Sequence, residues 1–320
     1  MGELVRYRRS SFAAALIVAA AIFVLLPFVL TPYYLGLVVK MLIFALFAMS
    51  LDLLIGYSGM ASLGHAAYFG ISAYATGLLA VKLGWNVWLA LPAGLVLSGL
   101  TAVVFGFLAL RTRGSYFLMI TLALSQLAWG VAFGWRSLTG GDDGLPDVPR
   151  PNFGATLSMM DGKNFYFFVL IIVAIAGFAL GRIVASPFGY ALRGIRESES
   201  RMLMLGYDVW RYKLSAFVLA AIFAALAGSL YAYYNRYVSP DYIHVARSAE
   251  VLLMVIMGGA GTLVGPAFGA AFIVALENLI STFTERWVLA LGVIYVLVAL
   301  FAPNGFAGLI RNWREKRGRG

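Results

Sequence analysis

Cysteine is absent from the 320-residue chain and charge is scarce: 12% of positions are charged, against 62% hydrophobic. Without cysteine there is no disulfide scaffold and no thiolate zinc site. Soluble domains carry about 25% charged and about 45–50% apolar residues, so this chain cannot clothe a water-facing surface. A mean hydropathy of +0.88 excludes disorder as well. The chain has no G-x-x-x-x-G-K-S/T phosphate loop, so it cannot hydrolyse ATP on its own. It lacks a metal-ligand cluster and a nucleophile–base pair of workable spacing, which argues against a membrane-embedded enzyme and against any cofactor. What remains is a polytopic membrane protein. Its net charge of +10 is then a matter of placement, not of nucleic-acid binding.

Apolar runs long enough to cross a bilayer, which takes about 20 helical residues, read as Phe12–Leu30, Tyr34–Ile55, Ala61–Val81, Val87–Leu110, Tyr116–Trp135, Phe165–Val184 and Leu214–Tyr234. Residues 249–302 hold more: Val251–Met257 is too short to span alone, and Phe268–Ile280 and Trp287–Phe301 follow. No run alternates as a barrel strand does, and backbone groups in lipid must pair internally. The expected fold is an all-α transmembrane helical bundle. The basic start and alanines of residues 1–31 could suggest a cleaved signal peptide, but the apolar run leads straight into a second, so a retained helix is preferred.

Lys and Arg set the orientation. One side gathers Arg6, Arg8, Arg9, Arg111, Arg113, Arg182, Arg193, Arg196, Arg201, Arg211, Lys213 and the tail from Arg311 to Arg319. The other keeps Lys82, Arg136, Arg150, Lys163, Arg236, Arg247 and Arg286. Both termini are therefore expected in the cytoplasm, with an even number of crossings: ten, some of them short, or eight with a re-entrant segment. Residues 1–310 form one transmembrane domain and 311–320 a basic cytoplasmic tail. Lys40, Asp52 and Glu277 fall within spans.

Two glycine clusters, about 200 residues apart, interrupt the helices at membrane depth: Gly56-Tyr57-Ser58-Gly59-Met60-Ala61-Ser62-Leu63-Gly64-His65-Ala66, and Gly258-Gly259-Ala260-Gly261-Thr262-Leu263-Val264-Gly265-Pro266-Ala267. Paired breaks of this kind point to a translocation site where freed backbone groups and half-helix ends face a solute. The pathway candidates are Gly56, Tyr57, Ser58, Gly59, Ser62, Gly64, His65, Gly258, Gly259, Gly261 and Thr262. The competing reading is that glycines only let helices pack closely, as small-residue patterns at Gly177/Gly181, Ala220/Ala224/Gly228 and Gly265/Gly269 suggest. His65 reads as a hydrogen-bonded structural group ahead of a proton relay. Asp52 and Glu277 are candidates for ion coupling or for interfacial placement.

Two loops look like interfaces. Ser186–Gly206 carries helix signals: Ser186 at the N-cap, Pro187 at the first position, Gly206 just past the end. Phe188, Leu192, Ile195, Met202 and Leu205 can share one face, with Arg193–Glu197 and Glu197–Arg201 pairs opposite. Such a helix lies on the membrane or inserts into a partner's groove. The outer loop, about 136–163, holds Thr139-Gly140-Gly141-Asp142-Asp143-Gly144-Leu145-Pro146, better suited to turns than to calcium.

The stretch Gly56 to Gly70, Arg113-Gly114-Ser115-Tyr116-Phe117, the Thr139–Leu145 loop and Ser186–Glu199 resemble the signatures of LivM-type permeases of branched-chain amino-acid ABC importers. Lys213–Leu230 and Met257–Gly269 continue the resemblance over nearly the whole chain. It implies a multi-pass protein of the bacterial plasma (inner) membrane that works by alternating access. It also implies a second permease subunit, two cytoplasmic ATPase subunits and an extracytoplasmic solute-binding protein as partners. The coupling region maps to Arg193–Gly206, with Arg193, Arg196, Glu197, Glu199 and Gly206 as candidate ATPase contacts. The general Glu-Ala-Ala pattern ahead of the glycine is not kept, since Ser200, Arg201 and Met202 stand there. Related permeases for urea and short-chain amides, an ion-coupled secondary transporter using Asp52, His65 or Glu277, and a non-transporting scaffold are the alternatives.

Overall fold

The computed structural model describes residues 21–151 and 159–283, with positions 289, 292, 293 and 296. The expected start of the first span, most of Trp287–Phe301 and the basic tail lie outside the described residues. Residues 21–29 are helical and lead through Pro32 into α1, Pro32–Asp52. Proline at the first turn fits there, because its missing N–H would have had no partner. The helices that follow are α2 (His65–Val81), α3 (Val87–Ala109), α4 (Ser115–Gly134), α5 (Gly162–Val184), α6 (Pro187–Glu197), α7 (Glu199–Met204), α8 (Val209–Asn235), α9 (Val245–Gly258) and α10 (Val264–Phe283). Among the described residues six helical stretches are long and apolar enough to cross a bilayer: Pro32–Ser58, α3, α4, α5, α8 and α10. The only β pairing described is a single bridge, Leu145 to Val238.

The two helices that fall short are the informative ones. α2 has 17 residues and α9 has 14, so they span about 25 and 21 Å. Both start inside the bundle. His65, the first residue of α2, stacks on Phe47 in the middle of α1 (ring centroids 5.5 Å apart). At the head of α9, Ser248 accepts the Ala66 N–H (3.0 Å) and Arg247 lies over the Phe44 ring. The chain reaches α9 by descending beside α2: the Leu145–Val238 bridge packs over Gly77, and Ile243 packs against Gly70. Residues 236–258 thus run beside α2 as a loop followed by a 14-residue helix, a segment that sequence periodicity counts as too short to span.

α2 and α8 form the centre. Ala220, Ala224 and Ala227 of α8 are fully buried, and a Cβ on Gly228 would stand 1.9 Å from the Phe69 carbonyl oxygen. The predicted Ala220/Ala224/Gly228 stripe therefore sets backbone-to-backbone contact, which lets dispersion act over a long seam. Gly228→Ala is expected to lose most of its assembled protein and to lower the thermal midpoint, since overpacking against rigid backbone costs about 1–3 kcal/mol or more. Gly99→Ala, whose Cβ would meet Ile222 at 3.6 Å, is the matched control and should keep wild-type yield by size-exclusion chromatography.

The outer-loop expectation of turn chemistry holds: Gly140, Gly141 and Gly144 all take positive φ. Arg150 ties this loop to the bundle, donating to the Tyr233, Tyr234 and Met159 carbonyls and lying 4.3 Å from the Phe165 ring centroid. The first two carbonyls are orphans of the α8 C-terminus, where a cation is favoured. Burial, with Arg236 nearby, lowers the Arg150 pKa.

Candidate functional site

The two glycine clusters meet. α1 runs into a turn and a half of π-helix, Leu53–Ser58, closed by Gly59 at φ 73°. A π-turn leaves carbonyls out of register, and such turns recur at functional sites. Gly56 sits in this turn with no room for a side chain: a Cβ would stand 2.1 Å from Asp52 Oδ1 and 2.2 Å from the Gly261 nitrogen. The second break, between α9 and α10, turns through positive φ at Gly259, Gly261 and Leu263. Leucine in that region is strained, and the strain is held by one side chain. Asp52, fully buried, accepts the Gly261 N–H on Oδ1 (2.7 Å) and the Leu263 N–H on Oδ2 (3.0 Å). Two backbone donors meet the buried carboxylate, with the Arg196 guanidinium near enough to act on it electrostatically, so each offsets the other's desolvation.

The remaining members of the second break shape helix ends. Thr262 Oγ1 donates to the Gly259 carbonyl and accepts the Gly265 N–H, capping α10. Gly258 and Gly265 face each other so closely that a Cβ on either would fall about 2 Å from the other's carbonyl oxygen. Of the eleven pathway candidates, Gly56, Tyr57, Ser58, Ser62, Gly64, His65, Gly258 and Gly259 are buried, Gly261 is half-buried, and Gly59 and Thr262 are exposed. Gly59 borders a cleft of about 350 Å³ with Met60, Thr112, Arg113, Glu199 and Lys213.

The amphipathic segment joins this cluster. Arg196 donates to the Gly56 carbonyl, and its guanidinium lies 3.3 Å from where a Gly261 Cβ would be. One side chain thus touches both breaks. Arg193 lies 5.0 Å from the Tyr57 ring centroid. Glu199 pairs with Lys213, and with Arg113 at 3.9 Å. Glu197 is exposed, and Gly206 takes φ 86° as expected past a helix end.

The segment corrects the single helix expected over Ser186–Gly206. It is two helices, α6 and α7, parted at Ser198, whose backbone is extended and whose Oγ accepts the Arg201 N–H. Ser186 does not cap with its side chain, which donates instead to the Ile183 carbonyl. Leu192, Ile195 and Met202 are buried as expected, but Leu205 is 67% exposed beside Met204 and Leu203. The expected Arg193–Glu197 and Glu197–Arg201 pairs are not among the described ion pairs: Arg193 faces Tyr57, and the break at Ser198 ends the helical spacing between Glu197 and Arg201.

The ion-coupling candidates are engaged. Asp52 uses both oxygens on backbone, Glu277 pairs with Lys40 (2.9 Å), and His65 Nε2 bonds Ser50 Oγ (2.8 Å). Arg247, placed on the outer side by its sequence position, instead forms an ion pair with Glu250 (2.7 Å) at the largely buried head of α9. The signal for the Lys40–Glu277 pair was present: Lys40 is the one cation among the three charges placed within spans, with Asp52 and Glu277.

The family profile described as branched-chain amino acid transport system / permease component matches residues 33–302. The chain is 29% identical, over 95% of its length and 76% of the relative's, to the high-affinity branched-chain amino acid transport system permease protein LivM of Salmonella typhimurium. It is 25% identical, over 83% of its length and 91% of the relative's, to the LivH permease protein of the Escherichia coli K12 system of the same name. It is 22% identical, over 78% and 84% respectively, to the guanosine ABC transporter permease protein NupQ of Bacillus subtilis. No solved structure matches the chain.

Proposed function

Because the chain belongs to the family of permease components of branched-chain amino acid transport systems, we propose that it forms the path by which branched-chain or related neutral amino acids enter the cell. It is the permease subunit of an ABC importer, a multi-pass protein of the plasma (inner) membrane. The arginine-rich end, with α6 and α7, faces the cytoplasm and docks two ATPase subunits. A second permease subunit completes the path, in keeping with the chain's likeness to both LivM and LivH relatives. A solute-binding protein delivers substrate at the opposite end. The exposed Leu203, Met204 and Leu205 suit a protein partner better than water.

The observation that carries this reading is Arg196, which reaches from the surface helix to both glycine breaks. Closure of the ATPases moves α6, Arg196 pulls on the Gly56 carbonyl, and the two breaks rearrange together to open the other side. Arg196→Met keeps the packing stem and removes the donor. In the assembled transporter it should leave ATP hydrolysis running while ATP-driven leucine uptake falls about tenfold or more, the worth of one charge-assisted hydrogen bond. Uptake at the wild-type rate, measured in the same proteoliposomes, would refute Arg196 as the link.

A further inference from the structure

On the transport reading above, we propose that the cleft rimmed by Lys40 and Glu277 is a binding site for zwitterionic α-amino acids. In it Lys40 meets the carboxylate and Glu277 the ammonium. The cleft, about 370 Å³, is bordered by Tyr33, Gly36, Leu37, Tyr234, Asn278 and Ser281 besides the two charges. That volume is in the range of small-molecule sites. Lys40 lies about 12 Å into α1, at 1.5 Å per residue, and the Lys40 and Glu277 side chains are about one-fifth exposed, so the pair lines the cleft and is not sealed in the core. The half-helix α9 brings Arg247 and Glu250 up behind it, each within electrostatic reach of Lys40 or Glu277. Arg247 Nε has no partner although it is buried.

Four charges from three helices are an expensive way to hold a bundle. An apolar set of similar volume would often be as stable or more so, and ionisable groups in spans mark solute pathways by default. Two cations and two anions make the cluster neutral. A zwitterion enters by exchanging partners with the Lys40–Glu277 pair and leaves the cluster neutral. A solute of net charge would leave one charge uncompensated in a low-dielectric site. The chemistry therefore selects neutral amino acids, with the wall of Gly36 and Leu37 left for an apolar side chain.

Binding here also reaches the glycine breaks. α1 and α10 are joined by polar contacts at both ends: Lys40–Glu277 at one, and Asp52 with Gly261 and Leu263 at the other. Opening the first pair loosens one end of that seam to the Tyr33–Asn278 hydrogen bond (2.7 Å) while the second holds.

Leucine binding to the purified assembled transporter, followed by calorimetry with leucinamide (net cation) and 4-methyl-2-oxopentanoate (net anion) as competitors, tests the site. Wild type should bind leucine and neither analogue should displace it. The double variant Lys40→Met/Glu277→Met removes both charges without orphaning either, and should weaken leucine binding about tenfold to a hundredfold. Gly36→Leu fills the cleft and leaves both charged groups in the chain, and should raise the leucine KM for uptake about tenfold, a penalty of the size overpacking brings. Wild-type leucine affinity in the double variant, or a wild-type KM in Gly36→Leu if the double variant fails to assemble, overturns the site. Displacement by either analogue does so too. A wild-type transporter that takes up no branched-chain amino acid defeats the transport reading instead, whatever these variants bind.

Discussion

Asp52→Ala should give a transporter that neither holds its thermal midpoint nor moves solute. The change orphans the Gly261 and Leu263 N–H groups, which the carboxylate alone engages. Each buried unpaired donor costs about 1–3 kcal/mol, so about 2–6 kcal/mol is at stake. It also releases Leu263 from the positive φ that Asp52 holds. Asp52→Asn separates the two contributions. Its carbonyl oxygen can keep one of the bonds while its NH₂ opposes the other N–H, so its midpoint should fall between wild type and Asp52→Ala. Thermal unfolding by size-exclusion of detergent-solubilised protein reads the order. Both variants at the wild-type midpoint, with uptake unchanged, would remove Asp52 from the clasp.

Much of this was legible one element at a time. Glycine clusters, proline at the start of α6 and Gly206 past the end of α7 are local chemistry, and the sequence carries local chemistry openly. The stripe Ala220/Ala224/Gly228 was equally plain, because helical spacing alone brings small residues to one face. The break at Ser198 has a local signal that a longer-range pattern masks. A serine ahead of Glu199 is an N-cap signal, yet the apolar spacing from Phe188 to Met202 runs across it. What no periodicity carries is the meeting of residues some 200 positions apart. Asp52 looked like a span-end acid until the second break was seen to lie against it. Arg247 and Glu250 looked like loop charges because a helix of 14 residues, entered from inside the bundle, is too short to be counted as a crossing. Half-helices hide buried charge from any count that assigns whole runs to lipid and the rest to water.

Gly56→Ala is the sharper probe of the clasp, because it adds one methyl group and removes nothing. That methyl would lie between Asp52 Oδ1 and the Gly261 nitrogen, nearer to both than any contact allows. One of the two must move, and either movement breaks the bond between them. The carbonyl that Arg196 engages belongs to the same residue, so the displaced turn also loses register with α6. Uptake by Gly56→Ala is expected to fall at least as far as in Arg196→Met, with a loss of stability of about 1–3 kcal/mol from overpacking. Combination with Asp52→Ala decides whether the contacts act as one unit. With the carboxylate gone, the second break is no longer pinned and can retreat from the new methyl. The double variant should then be little worse than Asp52→Ala alone, a coupling of about 1–3 kcal/mol in a double-mutant cycle. Additive losses would mean that Gly56 and Asp52 serve separate contacts, and that the two breaks do not move together.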